Sequence, residues 1–209
     1  MVVELADKEQ YIASESSFYR VLHAHHQQHH RGKARAPRKN AEKTSHTASA
    51  PNQVWCWDIT WLPTHIAGIF FKLYIILDLF SRKIVAAEVW ETECAEHSKA
   101  ILHRAYLAEH IAIADSPLIL HGDNGSPLKA GTVLALMHSL GIQPSTSRPR
   151  VSNDNAFAEA LFRTTKYHPS MPPNGFLNLT DAREWTDAFV NWYNNTHKHS
   201  AIQFVTPVQ

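Results

Sequence analysis

Three acidic residues lie where a carboxylate is unexpected. Asp58 interrupts the apolar and β-branched segment VWCWDITWL, residues 54–62, and Asp123 follows the short apolar segment PLIL. Thirty-five residues separate Asp123 from Glu159, which lies in NDNAFAEALFRTTK. Carboxylates that are brought together repel one another, and a divalent metal ion removes this conflict. The three acids are therefore candidate ligands of a metal ion that performs chemistry.

Each acid also has a structural interpretation. An ionised Asp58 is costly among apolar neighbours unless it accepts a hydrogen bond from a backbone amide or an indole, which it can do at a strand end. Asp123 can begin a turn, since Asp-Asn-Gly is favourable turn sequence. Phe157 and Leu161 define the apolar side of the segment around Glu159, so that Glu159 lies off that side and can pair with Arg163. Taken singly, each of the three acids favours its structural interpretation.

Two other side chains close to these acids in the sequence have non-catalytic interpretations. Asp78 ends an apolar segment beside Ser81 and Arg82, where we expect it to stabilise a turn. His121 can be suggested as a general base, but bound metal makes a base unnecessary. We therefore expect His121 to have a structural or phosphate-contacting role.

Composition bounds the class of protein. The chain has 209 residues, enough for one substantial domain and a tail, with 44% hydrophobic and 19% charged residues, as in soluble globular proteins. No apolar run reaches the roughly 18 residues of a membrane span, and no secretory signal opens the chain. Cys56 and Cys94 lie far apart and outside any CxxC spacing. We expect a cytoplasmic protein without membrane contact, disulfide framework or zinc ribbon.

Charge is unevenly distributed although the net charge is only +1. Residues 31–43 contain six basic residues and one acid, a pattern typical of a solvated linker or of a segment that follows phosphates. Residues 23–30 contain five of the fifteen histidines. This tract can bind a metal, but without cysteine or carboxylate partners we favour a compositional accident.

The apolar patterns predict three strands and then alternating helices and strands. Because short turns join the first three strands, we expect an antiparallel meander. The predicted strands are residues 54–62, 69–80, 83–90, 117–121 and 142–147, and the predicted helices are residues 8–24, 95–110, 130–140, 154–166 and 181–194. This order predicts an α/β fold with a mixed five-stranded sheet flanked by helices.

Four segments closely resemble the integrase-core transposases of bacterial insertion sequences, which are relatives of retroviral integrases. They are, in order, WDITWLP, HGDNGSP, SRPRVSNDNAFAEALFRTTK and WYNNTHKHSAIQFVTP. The resemblance covers residues 51–209 and implies a ribonuclease-H-like fold. The acid triad of the family, Asp, Asp and Glu, falls on Asp58, Asp123 and Glu159, which would hold two Mg²⁺ ions that Mn²⁺ can replace.

The resemblance implies cleavage and transfer of DNA strands for an insertion sequence. The partners would be the element ends, the target DNA and further copies of the chain, with the protein on the nucleoid when bound to DNA. Lys166 follows Glu159 by two helical turns and would contact phosphate near the metal. His199 would hold the last helix and the tail together. The other candidate DNA contacts are Arg163, Arg148, Arg150 and Asn155.

The resemblance also predicts the domain organisation. We expect residues 1–26 to be a remnant of a helix-turn-helix region, residues 27–50 a basic flexible linker, and residues 51–209 an integrase-type core truncated at its C-terminal end. Two alternatives stay open at this point. The chain can be an inactive remnant that binds DNA or a full-length transposase, or it can be another nuclease of the ribonuclease-H-like fold.

Overall fold

The structure, a computed structural model, describes residues 8–27, 46–111, 117–123, 129–147 and 156–209. The chain divides into two units, residues 1–41 and 42–209. The described part of the first unit contains helix α1, Glu15–Ala24, which has no buried residue. This helix begins later than the predicted residue 8, because Ser14 has extended backbone and its carbonyl accepts the first helical hydrogen bonds, from Ser17 and Phe18.

The second unit contains the predicted mixed five-stranded sheet, with strand order β3-β2-β1-β4-β5. Strands β1, β2 and β3 pair antiparallel, whereas β1–β4 and β4–β5 pair parallel. The strands are β1 Val54–Pro63, β2 Phe70–Asp78, β3 Ile84–Trp90, β4 Ile119–Gly122 and β5 Gln143–Thr146. The helices are α2 Ala95–Ala108, α3 Gly131–Ser139, α4 Ala156–Lys166 and α5 Leu179–Asn195. The predicted architecture is confirmed.

Most helices and strands begin or end a few residues away from their predicted boundaries. Helix α5 begins two residues before the predicted residue 181, because the side chain of Asn178 caps it by accepting a hydrogen bond of 2.9 Å from the Asp181 amide. The predicted start of the helix around Glu159, at residue 154, lies outside the described residues. None of the helices in the described ranges combines the length and apolar character that a membrane crossing requires.

Both faces of the central strand β1 are covered. Since side chains alternate along a strand, one face of β1 packs against α2 and α3 and the other against α4 and α5. This double burial explains why β1 is apolar almost throughout. The α2/α3 face buries Trp55, Trp57, Tyr74, Ile101, Leu102, Val133 and Met137. The α4/α5 face buries Val54, Cys56, Leu62, Leu161, Phe189 and Tyr193. By this alternation Asp58 belongs to the α4/α5 face.

Asp78 stabilises the turn between β2 and β3, as predicted. Its carboxylate is buried and accepts hydrogen bonds from the Asn52 amide at 2.8 Å, the Ser81 amide at 2.8 Å and the Ser81 hydroxyl at 2.7 Å. The amide of Arg82 donates to the Asp78 carbonyl at 3.0 Å. Both carboxylate oxygens of Asp78 are thus used in structural hydrogen bonds, which explains this buried acid without a catalytic role.

His199 connects the last helix to the tail, as predicted. Its amide donates to the Val205 carbonyl at 3.1 Å, and its ring centroid lies 4.6 Å from that of Tyr193 in α5. Burial lowers the pKa of His199 to about 4, with smaller contributions from the neighbouring His197 and Arg82. His199 is therefore neutral at pH 7 and acts through packing.

The segment between α4 and α5 adds a short backbone contact to the end of β1. The amide of Phe176 donates to the Pro63 carbonyl at 3.0 Å, and the amide of His65 donates to the Phe176 carbonyl at 3.0 Å. Gly175 makes this approach with φ of +76°. A Cβ at Gly175 would lie 2.8 Å from the carbonyl oxygen of Pro63 and closer still to that of Thr64.

We expect Gly175→Ala to destabilise the protein by about 2 kcal/mol or more, because it adds a backbone clash to the cost of a left-handed residue. Gly68→Ala is the matched control, since Gly68 also has positive φ, +85°, but nothing within 4 Å of an added Cβ. It should cost only about 1 kcal/mol. Urea unfolding measures both values, and equal losses would contradict the close approach.

Candidate active site

The pairing of β1 with β4 places two of the acids side by side. Trp57 in β1 is the register partner of Gly122 in β4, and Asp58 and Asp123 are the next residue on each chain. Neighbouring strands lie about 4.8 Å apart, so the two aspartates begin from adjacent backbone positions. Asp58 is half-buried and Asp123 is exposed. The sheet thus brings a central-strand carboxylate next to a strand-end carboxylate.

Helix α4 provides the third acid. It packs on β1, with Ala158, Leu161 and Thr165 buried. Phe157 was expected on this buried side but is 42% exposed, because it lies beneath the guanidinium of Arg82 instead of in the core. Glu159 is exposed. It lies off the buried side, as predicted.

Asp58 lies within electrostatic reach of Asp123, Glu159 and Lys166. The pKa of Asp58 is raised from 3.8 to about 7, and burial is the largest cause. The negative charges of Asp123 and Glu159 also raise it, while the Ile59 amide, which donates to Asp58 at 2.8 Å, and the positive charge of Lys166 lower it. The carboxyl group of Asp58 therefore interacts electrostatically with both other acids and with Lys166, two turns beyond Glu159.

Asp58, Asp123 and Glu159 lie near one another but are not arranged as a set of metal ligands. Within the ranges that the structure describes, no group of three or more His, Cys, Asp or Glu side chains is arranged to hold a metal ion. The assignment of Asp58, Asp123 and Glu159 as ligands stays a prediction.

The other predicted site residues divide into two groups. Arg163 is exposed on α4, and in the part of the chain that the structure describes it makes no ion pair with Glu159. The Glu159–Arg163 pair expected from the structural interpretation of Glu159 is therefore not observed. Three predicted DNA contacts, Arg148, Arg150 and Asn155, lie outside the described residues. Residues 124–128 also lie outside them, which leaves the turn interpretation of Asp123 open.

His121 has structural contacts beside the site. It is buried, with Nδ1 3.0 Å from the Ser145 hydroxyl and Nε2 3.4 Å from the Ser147 hydroxyl. His46 Nε2 lies 2.7 Å from the same Ser145 hydroxyl. These contacts connect β4, β5 and the segment before β1, and they favour the structural role over a catalytic one.

Sequence reasoning did not identify His46, because its partner Ser145 is 99 residues away and neither residue stands in a motif. Ala48 also packs against the core cluster that contains Val54. Residues 46–50 belong to the predicted linker, yet they lie in the second unit and His46 and Ala48 contact its core.

Comparisons with known proteins agree with the geometry. Two family models, both described as integrase core domain, match residues 48–152 and 140–207. A transposase for the insertion sequence element IS904 of Lactococcus lactis is 29% identical over 164 residues. That match covers 77% of this chain and 61% of the relative, so the chain spans about three fifths of the length of this curated relative.

Solved structures agree on the fold. The HTLV-2 integrase catalytic core domain, solved in complex with magnesium, has a TM-score of 0.52 and 19% identity, with 78% of this chain and 97% of that chain covered. A chain of the simian T-cell lymphotropic virus intasome has a TM-score of 0.60 and 17% identity, covering 94% and 66%. The sheet order, the ribonuclease-H-like fold and the matched segments lead to one conclusion: the chain belongs to the integrase core domain family.

Proposed function

We propose that this chain is a transposase of a bacterial insertion sequence and that it catalyses metal-dependent cleavage and transfer of DNA strands. The observation that carries this proposal is the parallel register of β1 and β4, by which Asp58 and Asp123 are adjacent in an integrase-family core, with Glu159 close enough to contribute to the raised pKa of Asp58. Burial and like charges destabilise the ionised form of Asp58, and a bound cation would reverse that effect. The family relationship supports the same interpretation.

The donor set fits Mg²⁺. Asp58, Asp123 and Glu159 offer carboxylate oxygens only, the ligands that Mg²⁺ prefers. Cys56 lies on the same face two residues before Asp58, but burial raises the pKa of its thiol to about 12, so that it stays protonated and is a poor ligand. We infer that the three acids hold two Mg²⁺ ions, and that Mn²⁺ can replace them.

The chain's own residues have distinct tasks in this proposal. Asp58, Asp123 and Glu159 would hold the Mg²⁺ ions, which would supply activation of a water or 3′-hydroxyl and stabilisation of the leaving oxygen in an in-line displacement at phosphorus. Asp58 must release its proton when the metal binds, and the positive charge of Lys166 already favours the ionised form. Lys166 would also contact the phosphate that reacts, since its charge acts within the same site.

DNA is the proposed partner, as element ends and as target. Arg163 and Lys166 are exposed on α4 beside the acids and would contact phosphates. The same role is proposed for Arg148, Arg150 and Asn155. Action on paired element ends would require two or more copies of the chain on the DNA. Curated relatives that are insertion-sequence transposases favour this function over that of another nuclease with the same fold.

Removing either exposed acid should abolish activity. We expect Asp123→Asn and Glu159→Gln to reduce nicking of supercoiled plasmid DNA in MgCl₂ by about a hundredfold or more, because metal catalysis contributes several kcal/mol. Asp187→Asn and Glu184→Gln change exposed acids of α5 and should retain wild-type activity. Gel analysis of the plasmid measures the rates.

Activity that survives both substitutions would show that the site assignment is wrong. If the unchanged chain is inactive in MgCl₂ and in MnCl₂ while still binding DNA, the proposed catalytic function fails. The alternative of a remnant that binds DNA or a full-length transposase then takes its place.

Asp58→Asn should stabilise the metal-free protein at pH 8. Because the folded protein holds the Asp58 proton with a pKa near 7 instead of 3.8, ionisation favours unfolding. The stability that this group contributes is fully present below pH 3.8 and is lost as pH rises through 7. We expect a gain of about 2 kcal/mol at pH 8, vanishing near pH 4, in urea unfolding with EDTA.

Magnesium should stabilise the wild-type chain but not Asp58→Asn. MgCl₂ at pH 8 should raise the melting temperature of the wild-type chain and of the control Asp187→Asn, but not that of Asp58→Asn, since binding to the folded state alone stabilises it. Equal responses of the three proteins would contradict a metal site at Asp58.

A further inference from the structure

We propose that Arg82 is a positioning residue for Glu159: it sets the rotation of the first turn of α4 by holding Phe157, and so aims the Glu159 carboxylate at the other two acids. This inference rests on the proposed function, in which Glu159 is a metal ligand. Neither the sequence motifs nor the comparisons single out Arg82 for this task.

The backbone of Arg82 is fixed relative to the catalytic strand. Arg82 has φ of +64°, in the tight turn that the buried Asp78 carboxylate holds together. Asp78 is in turn the register partner of Trp55 in β1, three residues before Asp58. A positive φ is rare for a residue with a side chain and is kept only where its surroundings impose it. The guanidinium therefore extends from a well-defined point beside β1.

The guanidinium contacts the first turn of α4. Its central carbon lies 3.9 Å from the centroid of the Phe157 ring, in the geometry of a cation–π contact. In the described part of the chain, Nε and Nη1 of Arg82 are buried without a hydrogen-bond partner. The unpaired N–H groups on these two nitrogens cost at least as much free energy as a cation–π contact contributes. The contact thus adds little to overall stability.

The geometry of the helix makes this contact matter for Glu159. Successive residues of a helix are rotated by about 100°, so Phe157 and Glu159 project to opposite sides of the buried stripe. Among the residues that the structure describes, the first turn contributes only the methyl group of Ala158 to that stripe, whereas Leu161 and Thr165 lie further along. Core packing therefore constrains the rotation of this turn weakly, and the Arg82–Phe157 contact supplies the missing constraint.

The test is magnesium affinity, measured as the MgCl₂ concentration that gives half of the increase in melting temperature of the full chain. Arg82→Met keeps the apolar stem and should raise this midpoint about tenfold, as loss of support for a metal ligand does, with nearly unchanged metal-free stability. Arg82→Lys keeps a cation over the ring and should restore most of the affinity. Arg104→Met removes a surface arginine that pairs with Glu88 and should leave the midpoint unchanged.

Phe157→Leu tests the same contact from the helix. It should raise the midpoint as Arg82→Met does, and the double variant should be no worse than either single one, because both remove one interaction. If Arg82→Met fails to fold, Phe157→Leu and Arg82→Lys decide the question by the same midpoints. Wild-type midpoints in Arg82→Met or in Phe157→Leu would overturn the proposal.

The two proposals fail in different ways. A wild-type chain whose melting temperature does not respond to MgCl₂ contradicts the metal site itself, and with it the role of Arg82. A wild-type response that Asp58→Asn abolishes and Arg82→Met leaves unchanged contradicts only the positioning role.

Discussion

Repulsion between carboxylates on one face of the sheet is the constraint on which the account of this protein depends. The parallel register of β1 and β4 places Asp58 beside Asp123 through backbone hydrogen bonds, which side-chain repulsion is too weak to break. Apolar burial of Leu161, worth about 2 kcal/mol, holds α4 and with it Glu159 on the same face. The fold thus tolerates an unfavourable charge arrangement whose cost is concentrated on Asp58, the most buried of the three acids.

Contacts elsewhere in the second unit hold the elements that carry the acids in place. Asp78 fixes the turn that carries Arg82, and the segment containing Gly175 ties the loop after α4 to the end of β1. His199 remains neutral and packs the tail against α5. These contacts fix the positions of β1 and of helices α4 and α5, which cover its acidic face. A small rotation of the first turn of α4 therefore moves the Glu159 carboxylate.

Much of this fold is predictable from the sequence, because its apolar segments are long and their turn signals are clear. The strand around Asp58 is predicted to be central because it is apolar on both faces, and the resemblance to integrase-core transposases selects Asp58, Asp123 and Glu159. Contacts between distant residues without a motif are not predictable in this way. Phe157 has the pattern of a core residue, yet it lies under Arg82, since a cation–π contact leaves no periodic signal. The shared electrostatics of Asp58 and Lys166 likewise depend on a burial that only the folded chain shows.

The most direct measurement of the central claim is the anomalous diffraction of crystals of the full chain grown with MnCl₂ at pH 8. The account predicts manganese within about 2.3 Å of carboxylate oxygens of Asp58 and Asp123, with Glu159 completing the site. Manganese bound only elsewhere, such as at the histidines of residues 23–30, or at Asp58 and Asp123 with the Glu159 carboxylate turned away, would contradict it.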